Sequence, residues 1–201
     1  MGQVKKKQKK FSLKEAYRKS WEYVHNSRKF VFIIIGIFLF FTLVGLFIPA
    51  PESISKWISD YVTEIMVKTT GLSAGQLISF IFFNNLQSSL FGLIFGVLFG
   101  IFPIFVALFN GYILGFVLNA SINAGGIWVI LKLLPHGIFE LPAVFISLGL
   151  GLRLGTCLLF RKKRKDFRKE FYNALRVFFF VIIPLLLIAA IIEGIFIAFV
   201  N

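Results

Sequence analysis

The stretch Gly92-Leu93-Ile94-Phe95-Gly96-Val97-Leu98-Phe99-Gly100, with Pro103 three residues beyond it, decides how this chain folds. Its glycines recur every four residues in an apolar background, so on a helix they stack along one face. A face without side chains lets a second backbone approach closely. That is how helices associate in lipid, where burying apolar surface gives no driving force. The enclosing apolar run, residues 77–120, would reach about 65 Å as a single helix, roughly twice the hydrocarbon thickness of a bilayer. Pro103 is the natural division, ending one span near Phe102 and opening the next. The second span continues the small-residue theme in Asn110-Gly111-Tyr112-Ile113-Leu114-Gly115, and a later one carries Gly149, Gly151 and Gly155. Gly92, Gly96, Gly100, Gly111, Gly115, Gly151 and Gly155 are therefore the expected packing positions. The pattern leaves open whether the facing helix belongs to the same chain.

Composition sets the class. Of 201 residues, 58% are hydrophobic and only 15% charged, against about 45–50% and about 25% in soluble domains. Lipid must cover the excess, so the expectation is an all-α polytopic membrane protein. The net charge of +13 is gathered in two groups, Lys5 to Lys29 before the first apolar run and Arg161 to Arg176 before the last. Both flank apolar spans, so positive-inside placement accounts for them and nucleic acid is not an expected partner. The lone Cys157 excludes an internal disulfide framework and reads as a packing residue.

The order of segments follows. Residues 1–29 read as a basic cytoplasmic tail, disordered over 1–10. A Ser12/Glu15 capping box then opens a helix with Leu13, Tyr17, Trp21 and Val24 on one stripe. That helix lies in the membrane interface or docks on protein. Residues 30–201 form one helical bundle. Phe30–Ile48 is a span ended by Pro49 and Pro51. Residues 52–70, with Ser53 as cap, are amphipathic through Ile54, Trp57, Ile58, Tyr61 and Ile65; they rest on the outer leaflet or present a partner-binding face. Ser73 and Gln76 offer another capping box. Residues 121–126 read as an outer turn, with a glycosylation sequon at Asn119-Ala120-Ser121. Ile127–Leu134 is too short to cross and reads as a re-entrant half-helix, tolerated where protein covers it. A span to Phe160 follows, with Arg153 snorkelling toward the basic end. The last span covers about residues 177–200, kinked at Pro184. Both basic groups on one side require an even number of crossings between them, which gives five transmembrane helices, a cytoplasmic N-terminus and an outer C-terminus in the cell membrane.

Pro135-His136-Gly137-Ile138-Phe139-Glu140-Leu141-Pro142 places an imidazole and a carboxylate in an apolar setting. Four residues apart, His136 and Glu140 share a helix face. Such groups in lipid are costly and sit where they are needed. They read either as a proton- or ion-handling site or as a hydrogen-bonded cluster with Asn84, Asn85, Asn110 or Glu193. No metal ligand set, nucleophile motif or nucleotide-binding glycine pattern occurs, so no cofactor, metal or catalytic residue is expected and the chain is not read as an enzyme.

These features in order, Phe83-Asn84-Asn85, Gly96 and Gly100, Asn110-Gly111 with Gly115, Pro135-His136-Gly137 with Glu140, then Gly149, Gly151 and Gly155, resemble the stage II sporulation protein M family of integral membrane proteins. The resemblance implies a multi-span helical protein. In spore formers the family member sits in a membrane complex with cell-wall-degrading partners, as an organiser rather than a catalyst. The expected function is therefore a membrane scaffold, with the lipid bilayer, anionic lipids at the basic face and membrane proteins or further copies of the chain as partners. The alternative is a small-solute or ion transporter built on His136 and Glu140.

Overall fold

The computed structural model describes residues 12–98, 100–125, 130–160 and 166–200, with side chains at the same positions except 130–139 and 198–200. Among the described residues seven α-helices form: α1 (Leu13–Phe47), α2 (Glu52–Thr69), α3 (Ala74–Ile94), α4 (Ile101–Gly125), α5 (Ile130–Leu159), α6 (Phe167–Val177) and α7 (Ile183–Val200). A 3-10 turn, Phe95–Val97, extends α3, and a π turn, Phe178–Ile182, joins α6 to α7. Among the described residues, five helical stretches are long and apolar enough to cross a membrane: α1, Ala74–Val97, α4, Glu140–Leu159 and Phe167–Ile197.

The hairpin between α3 and α4 turns at Gly100 and not at Pro103. Gly100 has φ +75°, a conformation that only glycine adopts without strain. Its N–H bonds the Gly96 carbonyl at 2.8 Å. Pro103 is the third residue of α4, in the first turn, where its missing N–H would have had no helical partner.

Contacts along the helices fix their directions. Gly111 and Gly115 of α4 lie against Phe38 and Thr42 of α1, so these two helices run parallel. Gly96 and Gly100 meet Gly151 and Gly155, so α3 and α5 are parallel too, while Gly194 beside Ile78 sets α7 antiparallel to α3. Hence α1, α4 and α7 run away from one end of the bundle, and α3 and α5 run toward it. The hydrogen bonds from Tyr23 to Glu170 and from Arg176 to the Lys19 carbonyl bring α1 and α6 together at that end. It is called the basic end below.

The helix at the centre is α5. Its span is 61% buried, against 17–39% for the other four. A helix enclosed on all sides must be apolar on all sides. On one side Ala143, Ile146, Leu150 and Leu154 pack with Leu93, Val177, Val181 and Leu186; on the other, Leu148 and Leu152 pack with Ile34 and Ala107.

Several sequence expectations are corrected. The helix read over 12–24 and the span from Phe30 are one element, α1, of 35 residues. Its buried residues, Ala16, Ser20, Tyr23, Ser27, Ile34, Phe38 and Gly45, recur at the 3.5-residue spacing of a helix seam. The Leu13, Tyr17 and Trp21 stripe is exposed. Ser12 and Ser53 make no side-chain cap; α2 begins at Glu52, after Pro51, two residues before the start that a Ser53 cap implies. The Ser73/Gln76 capping box is present, with the Ser73 N–H on Gln76 Oε1 at 2.9 Å. The turn read at 121–126 is helix as far as Gly125. The Asn119 side chain donates to the Leu46 carbonyl at 2.9 Å, tying α4 to the end of α1. The half-helix read over 127–134 is not a separate element: α5 runs from Ile130 through Pro135 and Pro142 without a break. Each proline removes one hydrogen bond, which a long helix survives when neighbouring helices support it. Residues 126–129 and the tail at 1–10 lie outside the described residues. Pro184 produces a π turn just before it, a wider coil that relieves the clash of its ring with the preceding turn.

Where α3 meets α5, a Cβ added to Gly96 would overlap the Gly151 backbone, whereas one on Gly36 would meet nothing within 4 Å. Gly96→Ala is therefore expected to destabilise the protein by about 1–3 kcal/mol, and Gly36→Ala to change stability by less than about 1 kcal/mol. Thermal unfolding of both variants in detergent checks this; equal responses would contradict the close approach.

Candidate functional site

Polar side chains gather in two places. The first is the interface of α3, α5 and α7. Asn85, Ser89, Glu140 and Ser147 are buried there, and Glu193 of α7 is half-buried. The Ser147 hydroxyl donates to the Ser89 carbonyl at 2.6 Å. From that bond, helical rise places Asn85 about 6 Å and Glu140 about 10 Å further toward the end opposite the basic one. The remaining expected members do not join them. Asn84 is exposed. Asn110 is exposed and donates to the Val106 carbonyl of its own helix at 2.8 Å. The His136 backbone belongs to α5, and its side chain lies outside the described residues.

Gly96, Gly111, Gly115, Gly151 and Gly155 lie against a neighbouring backbone of the same chain. Added Cβ atoms on Gly111 and Gly115 would overlap the carbonyl oxygens of Phe38 and Thr42. On Gly151 and Gly155 they would overlap those of Gly92 and Gly96. Gly92 and Gly100 differ, their added Cβ atoms meeting the Leu148 and Leu152 side chains.

The second gathering lies at the basic end and was missed in the sequence. Arg153 of α5 pairs with Glu170 of α6, Nη2 to Oε2, at 2.8 Å. Its Nη1 donates to the Ser27 hydroxyl at 2.8 Å, and its guanidinium lies 4.4 Å from the centre of the Tyr23 ring. The Tyr23 hydroxyl donates to Glu170 Oε2 at 2.6 Å. Ser27 passes its own proton to the Tyr23 carbonyl at 2.7 Å. Arg153 and Glu170 are only 18% and 16% exposed. Arg153 thus turns into a charged node joining α1, α5 and α6, and does not snorkel along its helix. A guanidinium suits this place because its planar fork serves a carboxylate, a hydroxyl and a ring face together. The available signal was a lone arginine inside an apolar span together with a carboxylate inside the basic run Arg161–Arg176. Spacing alone does not pair them.

The node has the chemistry of a clamp. It holds charges in fixed hydrogen bonds, and among the described residues no three His, Cys, Asp or Glu side chains converge as a metal ion would need. Cys157, one turn beyond Arg153, is buried.

A long central helix enclosed by apolar neighbours, with five stretches fit to cross a bilayer, defines an all-helical protein of the multi-span membrane type. Residues 30–197 match the family model described as Stage II sporulation protein M, which covers most of the chain. The chain belongs to that family. Searches of curated proteins and of solved structures each found no match.

Breaking a shielded ion pair strands its remaining partner, whereas an exposed pair on one helix contributes about 0.3–0.5 kcal/mol. Arg153→Ala is expected to cost about 2 kcal/mol or more. Lys68→Ala, which removes the exposed Lys68–Glu64 pair of α2, is expected to cost under about 0.5 kcal/mol. Denaturation midpoints of the two variants in the same detergent make the comparison.

Proposed function

We propose that this chain is a membrane-embedded scaffold that organises partner proteins, acting by binding and not by catalysis. The observation that carries the reading is α2. It leaves the far end of α1 and packs on the rest of the chain through Ile58, its one buried residue, with Trp57 edge-on to Phe109. Trp57, Tyr61, Met66 and Val67 remain exposed. A bundle that brings its helices together on glycines, with an amphipathic helix attached through Ile58 and Trp57 and its other apolar side chains exposed, suits a platform for other proteins. Family membership supports the same reading, since the family resemblance implies an organiser. The basic end belongs on the cytoplasmic side by the positive-inside rule. That puts the N-terminus in the cytoplasm, the C-terminus outside and α2 toward the outer face.

A photo-crosslinking residue placed at Met66 or Val67 of the full chain in native membranes is expected to yield discrete protein adducts. The same residue at Phe32, in the middle of α1, is expected to yield lipid adducts. Mass identification separates a second copy of the chain from another protein. Identical adduct patterns at the α2 and α1 positions would remove α2 as the binding face. The alternative, transport around His136 and Glu140, requires solute flux into proteoliposomes that Glu140→Gln abolishes. On the scaffold reading no such flux occurs.

A further inference from the structure

At the basic end a depression of about 270 Å3 opens between α1, α5 and α6 over the charged node. Lys19, Asn26, Lys169, Asn173 and Arg176 line it, together with the Arg153–Glu170 pair and Glu22. Both carboxylates of the lining are already engaged. Glu170 is held by Arg153 and Tyr23, and Glu22 pairs with Arg18 at 2.7 Å. Lys19 is occupied by Glu15 at 2.6 Å. The cations left over are Lys169, which is exposed and has no ion pair among the described residues, and Arg176. The Arg176 Nη2 reaches the Lys19 carbonyl at 3.3 Å, and its Nε has no hydrogen-bond partner. A guanidinium carries five N–H donors, and the Lys19 carbonyl takes one of those on Arg176. The Asn26 and Asn173 amides add neutral donors on opposite walls.

We propose that this depression binds a phosphate group, the headgroup phosphate of an anionic phospholipid. Two cations with spare donors and two amides converging on a concave surface match a tetrahedral oxyanion, which needs several donors at once. The surroundings favour lipid over free phosphate. A wider concavity adjoins the first, shares Glu22 and Asn26 with it, and is walled by Trp21 and His25. On α1, Leu13, Tyr17 and Trp21 are exposed along one stripe. Exposed aromatics next to a cluster of cations belong at headgroup depth, and acyl chains leaving the depression would run from Trp21 toward Phe30, where the apolar part of α1 begins. The bound lipid would bridge α1 and α6, and the site is independent of the scaffold reading.

The full chain, purified in an uncharged detergent, is titrated with dioctanoyl phosphatidylglycerol while its unfolding midpoint is followed. A ligand that binds the folded state raises the midpoint saturably. The lipid is expected to do so, and dioctanoyl phosphatidylcholine and inorganic phosphate at the same concentrations are not. Lys169→Gln is expected to raise the half-saturating concentration about fivefold, the effect of one cation near an anionic headgroup, and Arg176→Gln at least as much. Lys56→Gln, on α2, is expected to leave it unchanged. An equal midpoint rise with inorganic phosphate would show that the depression takes free phosphate and would overturn the lipid assignment. The same response in wild type and both site variants would overturn the site itself. If Arg176→Gln does not fold, Lys169→Gln decides, because that side chain holds nothing else in place.

Discussion

The architecture depends on the approach of two backbones, α3 and α5. Gly96 lies against Gly151, and Gly155 against Gly96 and Gly100, so closely that a single added carbon on Gly96, Gly151 or Gly155 would overlap main-chain atoms. In lipid there is no water to expel between apolar helices, so contact distance itself sets how strongly they hold. Bringing α3 onto α5 at glycine distance leaves room for α1, α6 and α7 to close around the remaining faces. This is why α5 becomes the enclosed helix, with Leu148 and Leu152 serving one apolar cluster and Ile146, Leu150 and Leu154 the other.

The same device recurs between other pairs. Gly45, Gly111 and Gly115 bring α1 and α4 together over several turns, Gly149 meets Val31, and Gly194 meets Ile78. Between these contacts a few polar side chains fix the register, as Ser147 does on the Ser89 carbonyl and Asn119 on the Leu46 carbonyl. Most remaining hydroxyls bond within their own helix, as Ser20, Ser27 and Thr42 do to carbonyls four residues back. Among the described residues, a shielded ion pair lies at the node of Arg153, Glu170, Tyr23 and Ser27. There three helices meet and the dielectric is low enough for an ion pair to matter.

The two polar gatherings were unequally legible. Glu140 and Asn85 stood out because a polar residue in an apolar run is conspicuous, and both are buried. Asn84 and Asn110 were equally conspicuous, yet they face outward. One-dimensional patterning identifies polar residues in a span but not the direction each one points, which depends on where neighbouring helices lie. The node was illegible for a stronger reason. Tyr23 and Glu170 are 147 residues apart, and Arg153 and Ser27 are 126 apart. Nothing local to Arg153 distinguishes a residue reaching for solvent from one reaching for a carboxylate.

By itself the sequence determined the class and the number of helical stretches long and apolar enough to cross a membrane. Both follow from local quantities: composition, and apolar length against bilayer thickness. It also determined the family, through the order of its glycine and asparagine motifs. The tertiary structure decided which glycine turns the hairpin, that α1 continues through the basic region as one helix, that α5 is central, and where Arg153 finds its partner. Those outcomes depend on the simultaneous placement of segments more than a hundred residues apart. A backbone angle such as that of Gly100, or the facing of Arg153 onto Glu170, is set by what surrounds it and by nothing in its own neighbourhood of sequence.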